Sequence, residues 1–151
     1  MSRYPTITPH LAITDVAAAL DFYPKAFDAR ERLRLTLPDG TIAHAEIVIG
    51  DDGLVTLGAA IPEYQLEAPD PDKSVQVAIT YFCPDVDAAY ERAVAAGATS
   101  MSEPADQFHG DRTAAVRGPF GHKWIIATYL RDVSQEDQQQ ALDEIMRSAD
   151  G

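Results

Sequence analysis

The chain has 151 residues, 46% of them hydrophobic and 24% charged, a balance that belongs to globular proteins and not to disordered ones. Twenty-four acidic residues against twelve basic ones leave a net charge of −12, the wrong sign for a partner that carries a phosphate backbone or an anionic membrane surface. Cys83 is the only cysteine, which excludes an intrachain disulfide and a thiolate zinc cluster. No run approaches the ~20 apolar residues of a membrane span, and Met1 to His10 holds no apolar stretch of signal-peptide length. A reducing, cytoplasmic setting is the expectation.

In chain order, Thr6 to Thr14 reads as a short strand. Asp15 stands where an N-cap accepts backbone N–H bonds, and Val16, Ala19, Leu20, Tyr23 and Phe27 then recur at helical spacing. Pro24 is out of place there, because it removes one helical bond and bends the axis. Three strands follow, over Glu31 to Leu37, Thr41 to Ile49 and Leu54 to Ala60, punctuated by the turns Pro38–Gly40 and Gly50–Gly53. Pro62 to Ser74 carries three prolines and four acids and reads as an extended linker.

The second half repeats the order. A strand over Ser74 to Phe82 leads to Asp85 as N-cap and to a helix burying Val86, Ala89, Tyr90, Ala93 and Val94, with Gly97 as its C-cap. Strands are expected over Thr99 to Met101, Arg112 to Arg117 and His122 to Tyr129. Aligned at an offset of 70, DVAAALDFYPKAFDA (15–29) lies over DVDAAYERAVAAGAT (85–99). The turn GDDG (50–53) matches GPFG (118–121) at an offset of 68. The unit is therefore β-α-β-β-β, used twice. Ser134 to Asp137 gives a capping signal, and Leu142, Ile145, Met146 and Ala149 share one stripe of a closing helix. Residues 132–151 hold six acids and one base, and their helix is read as packed on the domain or on a second subunit.

This doubled unit, with HLAITDVAAALDFYPKAF (10–27) in the first half and DQFHGDR (106–112) and GPFGHKW (118–124) in the second, resembles the vicinal-oxygen-chelate superfamily of the glyoxalase/bleomycin-resistance/dioxygenase type. The resemblance implies an α+β fold: two β-α-β-β-β modules forming a curved, barrel-like mixed sheet, helices outside, and here a C-terminal helix. A single domain over residues 1–151 is expected, with module one at 4–61, the linker at 62–74, module two at 75–130 and the helix at 134–149. The resemblance also implies a cleft on the concave faces, built within one chain or across a dimer, and a homodimer is expected. Metal-dependent members place ligands on the first and last strand of each half, positions that correspond to Thr8, Leu57, Ala78 and Ile125. None of these carries an imidazole or a carboxylate, so no metal and no other cofactor is expected.

Period-two alternation assigns side chains to the cleft. His10 belongs to it on the first strand, and His44 and Glu46 on the third, with Ala43, Ala45, Ile47 and Ile49 turned to the helices. Leu57, Thr80, Phe82, Arg112 and Ile125 are expected to complete an apolar lining with a few polar anchors. Three readings of His10, His44 and Glu46 stand side by side: hydrogen-bonded residues on a wet sheet face, anchors for a ligand's polar group, or catalytic groups. In the last, His44 and Glu46 form a general acid–base pair, or all three hold a displaced metal. His109 and Asp111 are placed in a loop at the cleft mouth, His122 after a tight turn and exposed, Trp124 in the core, and Cys83 as a buried inert thiol. Arg112 pairs with Glu46 or meets a ligand carboxylate. The resulting expectation is a protein that sequesters a small, possibly cationic organic molecule, with a metal-dependent lyase, isomerase or dioxygenase as the alternative.

Overall fold

In the computed structural model, which describes residues 3–151, each half of the chain builds one four-stranded sheet and one helix. The first half runs β1 (His10–Ala12), α1 (Val16–Phe27), β2 (Arg30–Thr36), β3 (Ile42–Ile49) and β4 (Gly53–Gly58). The second runs β5 (Ala78–Phe82), α2 (Val86–Ala96), β6 (Thr99–Asp106), β7 (Asp111–Arg117) and β8 (Lys123–Tyr129), and α3 (Gln135–Ala149) closes the chain. The sheet orders are β1-β4-β3-β2 and β5-β8-β7-β6. In both, the first strand pairs parallel to the last and the other pairs are antiparallel. The fold is thus the doubled α+β unit expected from the sequence, with two curved, unclosed sheets.

Local chemistry sets the helix ends. Asp15 and Asp85 accept from Ala18 N and Ala88 N at 3.0 and 3.1 Å, and Ser134 accepts from Asp137 N at 3.1 Å. Helix α1 passes through Pro24 and ends at Asp28, a residue in the left-handed conformation. Across the halves, Arg92 of α2 donates to the carbonyls of Lys25 and Pro24 at 2.8 and 3.2 Å, satisfying the last turn of α1 from outside. Gly97 supplies the positive φ (122°) at the end of α2.

The strands differ from their expected limits where proline intervenes. Pro9 ends the approach to β1, so residues 3–9 form a strap outside the sheet instead of a strand. Strand β6 runs on to Asp106 despite Pro104, because it is an edge strand with register shifts on both sides of Ser102. Strand β2, the other outer edge, is bulged between Glu31 and Leu33 and between Leu35 and Thr36.

One hydrophobic core joins the halves. Tyr23 and Phe27 of α1 pack on Trp124 of β8 with ring centroids 5.6 and 4.9 Å apart, and Phe22 meets Phe120 at 5.9 Å. Ala45, Ile47, Val55 and Leu57 of the first sheet, and Ala114, Val116 and Ile126 of the second, turn toward this layer. The opposite face of each sheet carries most of the candidate residues, His10, His44 and Glu46 on the first and Thr80, Phe82 and Ile125 on the second.

Candidate functional site

Strand register decides which side chains meet. On the helix-free face of the first sheet, His10 of β1 lies opposite Thr56 of β4, Thr56 opposite Glu46 of β3, and Glu46 opposite Leu33 of β2. His44, two residues before Glu46, points the same way and faces Leu35. The structure therefore brings His10, His44 and Glu46 together, and it adds Thr56, which alternation counted from the turn glycines put on the other side.

Glu46 is the centre of the group and is completely buried. His44 Nε2 lies 3.2 Å from its Oε1, and the Tyr4 hydroxyl donates to the same oxygen at 2.7 Å. The Arg32 guanidinium forms an ion pair with the other oxygen, its Nε 3.5 Å from Oε2, and among the described residues no donor makes a hydrogen bond to that oxygen. Desolvation acts to raise the carboxyl's pKa, but the bonds from Tyr4 and His44 and the charges of Arg32 and Arg3 outweigh it and hold the group below the ordinary carboxylate range. Glu46 is therefore an ionised carboxylate, with two donors on one oxygen and a guanidinium facing the other.

The His10 ring is oriented by Thr56. Thr56 Oγ1 is hydrogen-bonded to His10 Nδ1 at 2.7 Å and lies 3.2 Å from the Pro9 carbonyl. Burial, and then the neighbouring His44, push the His10 pKa down. Gly58 makes room for the ring: a Cβ there would lie 3.1 Å from His10 Cε1 and Nε2. His10 also borders a cavity of about 530 Å³ between the halves, shared with Leu66, Val77 and His122.

The remaining candidates separate. Leu57 pairs with Ala45 rather than Glu46, is fully buried, and belongs to the helix-facing core. Arg112 also turns to the helix side. Its guanidinium grips Asp87 of α2 with bonds of 2.8 and 2.9 Å and Asp106 at 2.9 Å, and Arg32 holds the position beside Glu46 that Arg112 was expected to take. Thr80, Phe82 and Ile125 share the helix-free face of the second sheet, where Phe82 is 60% exposed. Thr80 and Phe82 border a different cavity, of about 550 Å³, with Val55 and Trp124. They do not reach the Glu46 group.

Other side chains are placed as follows. His122 is half-buried rather than exposed, in contact with the Ala12 carbonyl, and desolvation pushes its pKa down to about 4. His109 pairs with Asp111 at 3.4 Å, while the Gly110 carbonyl between them accepts from Leu130 N and Arg131 N, so this loop fastens the chain that leaves β8. Trp124 is in the core, whereas Cys83 is half-buried rather than buried, and desolvation raises its thiol pKa, which disfavours the thiolate. Sequence alone gave no sign of Tyr4 or Arg32 as parts of the site. The pair of prolines, Pro5 and Pro9, is the one local hint that the segment before β1 leaves the sheet.

Two curved β-α-β-β-β sheets with helix-free concave faces define the vicinal-oxygen-chelate architecture. Residues 6–126 match the Glyoxalase/Bleomycin resistance protein/Dioxygenase superfamily, and the chain belongs to it. Uncharacterized proteins of Mycobacterium bovis and Mycobacterium tuberculosis are 38% identical over 141 residues, covering 91% of this chain and 92% and 82% of theirs. Among solved structures, TioX from Micromonospora sp. ML1 superposes with a TM-score of 0.63 at 26% identity, covering 86% of this chain and all of its own. The fosfomycin resistance protein FosX of Listeria monocytogenes, solved with Mn(II) and sulfate, gives 0.60 at 14% identity over 94% of this chain and 99% of its own, a likeness of fold.

A divalent ion of the kind used by metal-dependent members does not suit the donors present. Thr56 faces the cleft where Leu57 was expected, but it supplies a hydroxyl already bonded to Pro9 and His10. The His10 and His44 rings lie parallel, 7° apart in plane and 6.0 Å between centroids, instead of converging their nitrogens on one point. Among the described residues, no group of three or more His, Cys, Asp or Glu side chains is arranged to hold a metal ion.

Proposed function

We propose that this protein binds a small organic molecule on the concave face of its first sheet, with Glu46 as the anchor and His44, His10 and Thr56 around it. The observation that carries this reading is the buried, ionised Glu46 carboxylate on the helix-free face, with Tyr4 and His44 on Oε1 and the Arg32 guanidinium 3.5 Å from Oε2. A carboxylate held ionised in a buried setting is a strong acceptor, which favours a ligand that brings it a charge-assisted N–H or O–H donor. The ligand is a cation or a neutral molecule bearing N–H or O–H groups. Leu33 and Leu35 beside the polar row give it apolar contact, and binding rather than turnover is the function.

A homodimer in the cytoplasm completes the proposal. The concave face of the second sheet leaves Phe82 and Tyr129 60% and 58% exposed, and α3 leaves Leu142, Ile145 and Met146 open. A second copy covers these apolar groups and walls the cleft.

Thermal-shift screening of an amine- and alcohol-rich fragment library against the wild type and Glu46→Gln tests the reading. Compounds that raise the wild-type Tm and leave that of the variant unchanged are expected. Equal shifts in both proteins would place binding elsewhere.

A further inference from the structure

The burial of Glu46 comes from the chain itself. Residues 3–9 cross the concave face as a strap, tied at one end by Thr56 N donating to Pro9 O at 3.0 Å and at the other by Arg32 Nη2 donating to Arg3 O at 3.0 Å. Between these ties Thr8 Oγ1 closes a turn onto Pro5 O at 3.2 Å. At the outer end Tyr4 is held as a bound molecule is held. Its hydroxyl donates to Glu46 Oε1 at 2.7 Å, and the guanidinium carbons of Arg3 and Arg32 each stand 5.3 Å from the ring centroid.

The strap buries little of itself. None of its described residues is buried, Tyr4 is 38% exposed and Ile7 is 86% exposed. A segment with so few apolar contacts opens at a small fraction of the cost of unfolding the sheet beneath it. When it lifts, Glu46 loses its phenolic donor, and His44 and Arg32 remain in place around the vacated space.

We infer that Tyr4 is an internal surrogate for the ligand: the site takes a molecule that presents a hydroxylated aromatic ring, its O–H to Glu46 and its face to Arg32, and the Arg3–Pro9 strap swings aside to admit it. This rests on the proposed binding role of the Glu46 face and gives that role a ligand class. A tethered competitor lowers the apparent affinity by the fraction of time it occupies the site. Removing the Tyr4 side chain therefore frees the site without touching its remaining groups.

The test is an NMR titration of the ¹⁵N-labelled full chain with p-cresol and with toluene, in the wild type, Tyr4→Ala and Tyr4→Phe. For p-cresol, Kd falls about 10-fold from the wild type to Tyr4→Ala, with Tyr4→Phe between them because its ring still fills the space. Toluene binds Tyr4→Ala several-fold more weakly than p-cresol, and adding Glu46→Leu abolishes that preference. An unchanged p-cresol Kd on removing Tyr4, or equal binding of toluene and p-cresol by Tyr4→Ala, overturns the inference. If Tyr4→Ala instead takes n-butylammonium at Glu46 and rejects p-cresol, the aromatic class falls while the binding role stands. If no probe shifts the signals of residues 44–46, both fall.

Discussion

His10 and His44 sit on strands that are not neighbours, yet their rings stack within 7° of parallel at 6.0 Å. Strand β4 runs between them, and it carries the residue that makes the arrangement possible. Thr56 Oγ1 lies 2.7 Å from His10 Nδ1 and 3.2 Å from the Pro9 carbonyl, so one hydroxyl positions an imidazole and anchors the strap. Replacing it by the near-isosteric valine removes both bonds and keeps the shape. Thr56→Val should lose about 1–2 kcal/mol in urea denaturation and exchange the Thr56 amide faster, while the far-UV spectrum is unchanged.

Arg32 guards the charge state of Glu46. With Arg32→Met, one of the positive groups that lower the carboxyl pKa is gone and the desolvation that raises it remains. The Glu46 pKa, followed by ¹³C NMR of the side-chain carboxyl, should rise toward or above the ordinary value of 4.5. A depressed carboxyl pKa contributes stability that is complete above the unfolded value and disappears as pH falls through the folded one. The variant should therefore lag the wild type most near neutral pH and approach it in acid.

His122 gives a second, separable pH dependence. Its folded pKa is near 4 against an ordinary 6.5, so between those values the unfolded chain binds the extra proton. The neutral ring's contribution is whole above pH ~6.5 and is lost as pH drops toward ~4. His122→Asn should flatten the stability curve over that window, with His10, shifted in the same direction, accounting for residual slope. A curve of unchanged steepness would show that His122 is not the titrating group.

The two halves should unfold together. Trp124 is 1% exposed and touches Tyr23 and Phe27 of the other half. Trp124→Ala should cost about 3–5 kcal/mol and lower the Tm of the whole chain in one transition. Two resolved transitions in calorimetry would mean that the aromatic layer does not couple the halves.

How much of this was legible in the sequence depends on how local each signal is. The doubled unit was readable because the Asp15 and Asp85 caps and the helical stripes after them are short-range patterns. His44 and Glu46 fell on the right face because Ala45, Ile47 and Ile49 mark the helix side without interruption. Strands β4 and β7 offer apolar or small residues on both faces, and alternation counted from a turn has no anchor there. One residue of slip exchanged Thr56 for Leu57 and turned Arg112 toward the cleft, where the register gives Ala115 and Thr113 opposite Ile125 and Ala127. Tyr4 was invisible for another reason: it meets Glu46 across 42 positions of sequence, and no periodicity spans that distance.

The central claim is that ligand binding is centred on the Glu46 carboxylate. The direct measurement is chemical-shift mapping of a fragment selected by thermal shift, on the uniformly labelled wild-type protein. The account predicts that the largest changes cluster on His10, His44, Glu46, Thr56 and Tyr4. Changes confined to Thr80, Phe82 and Ile125 on the second sheet, with the Glu46 group silent, would contradict it.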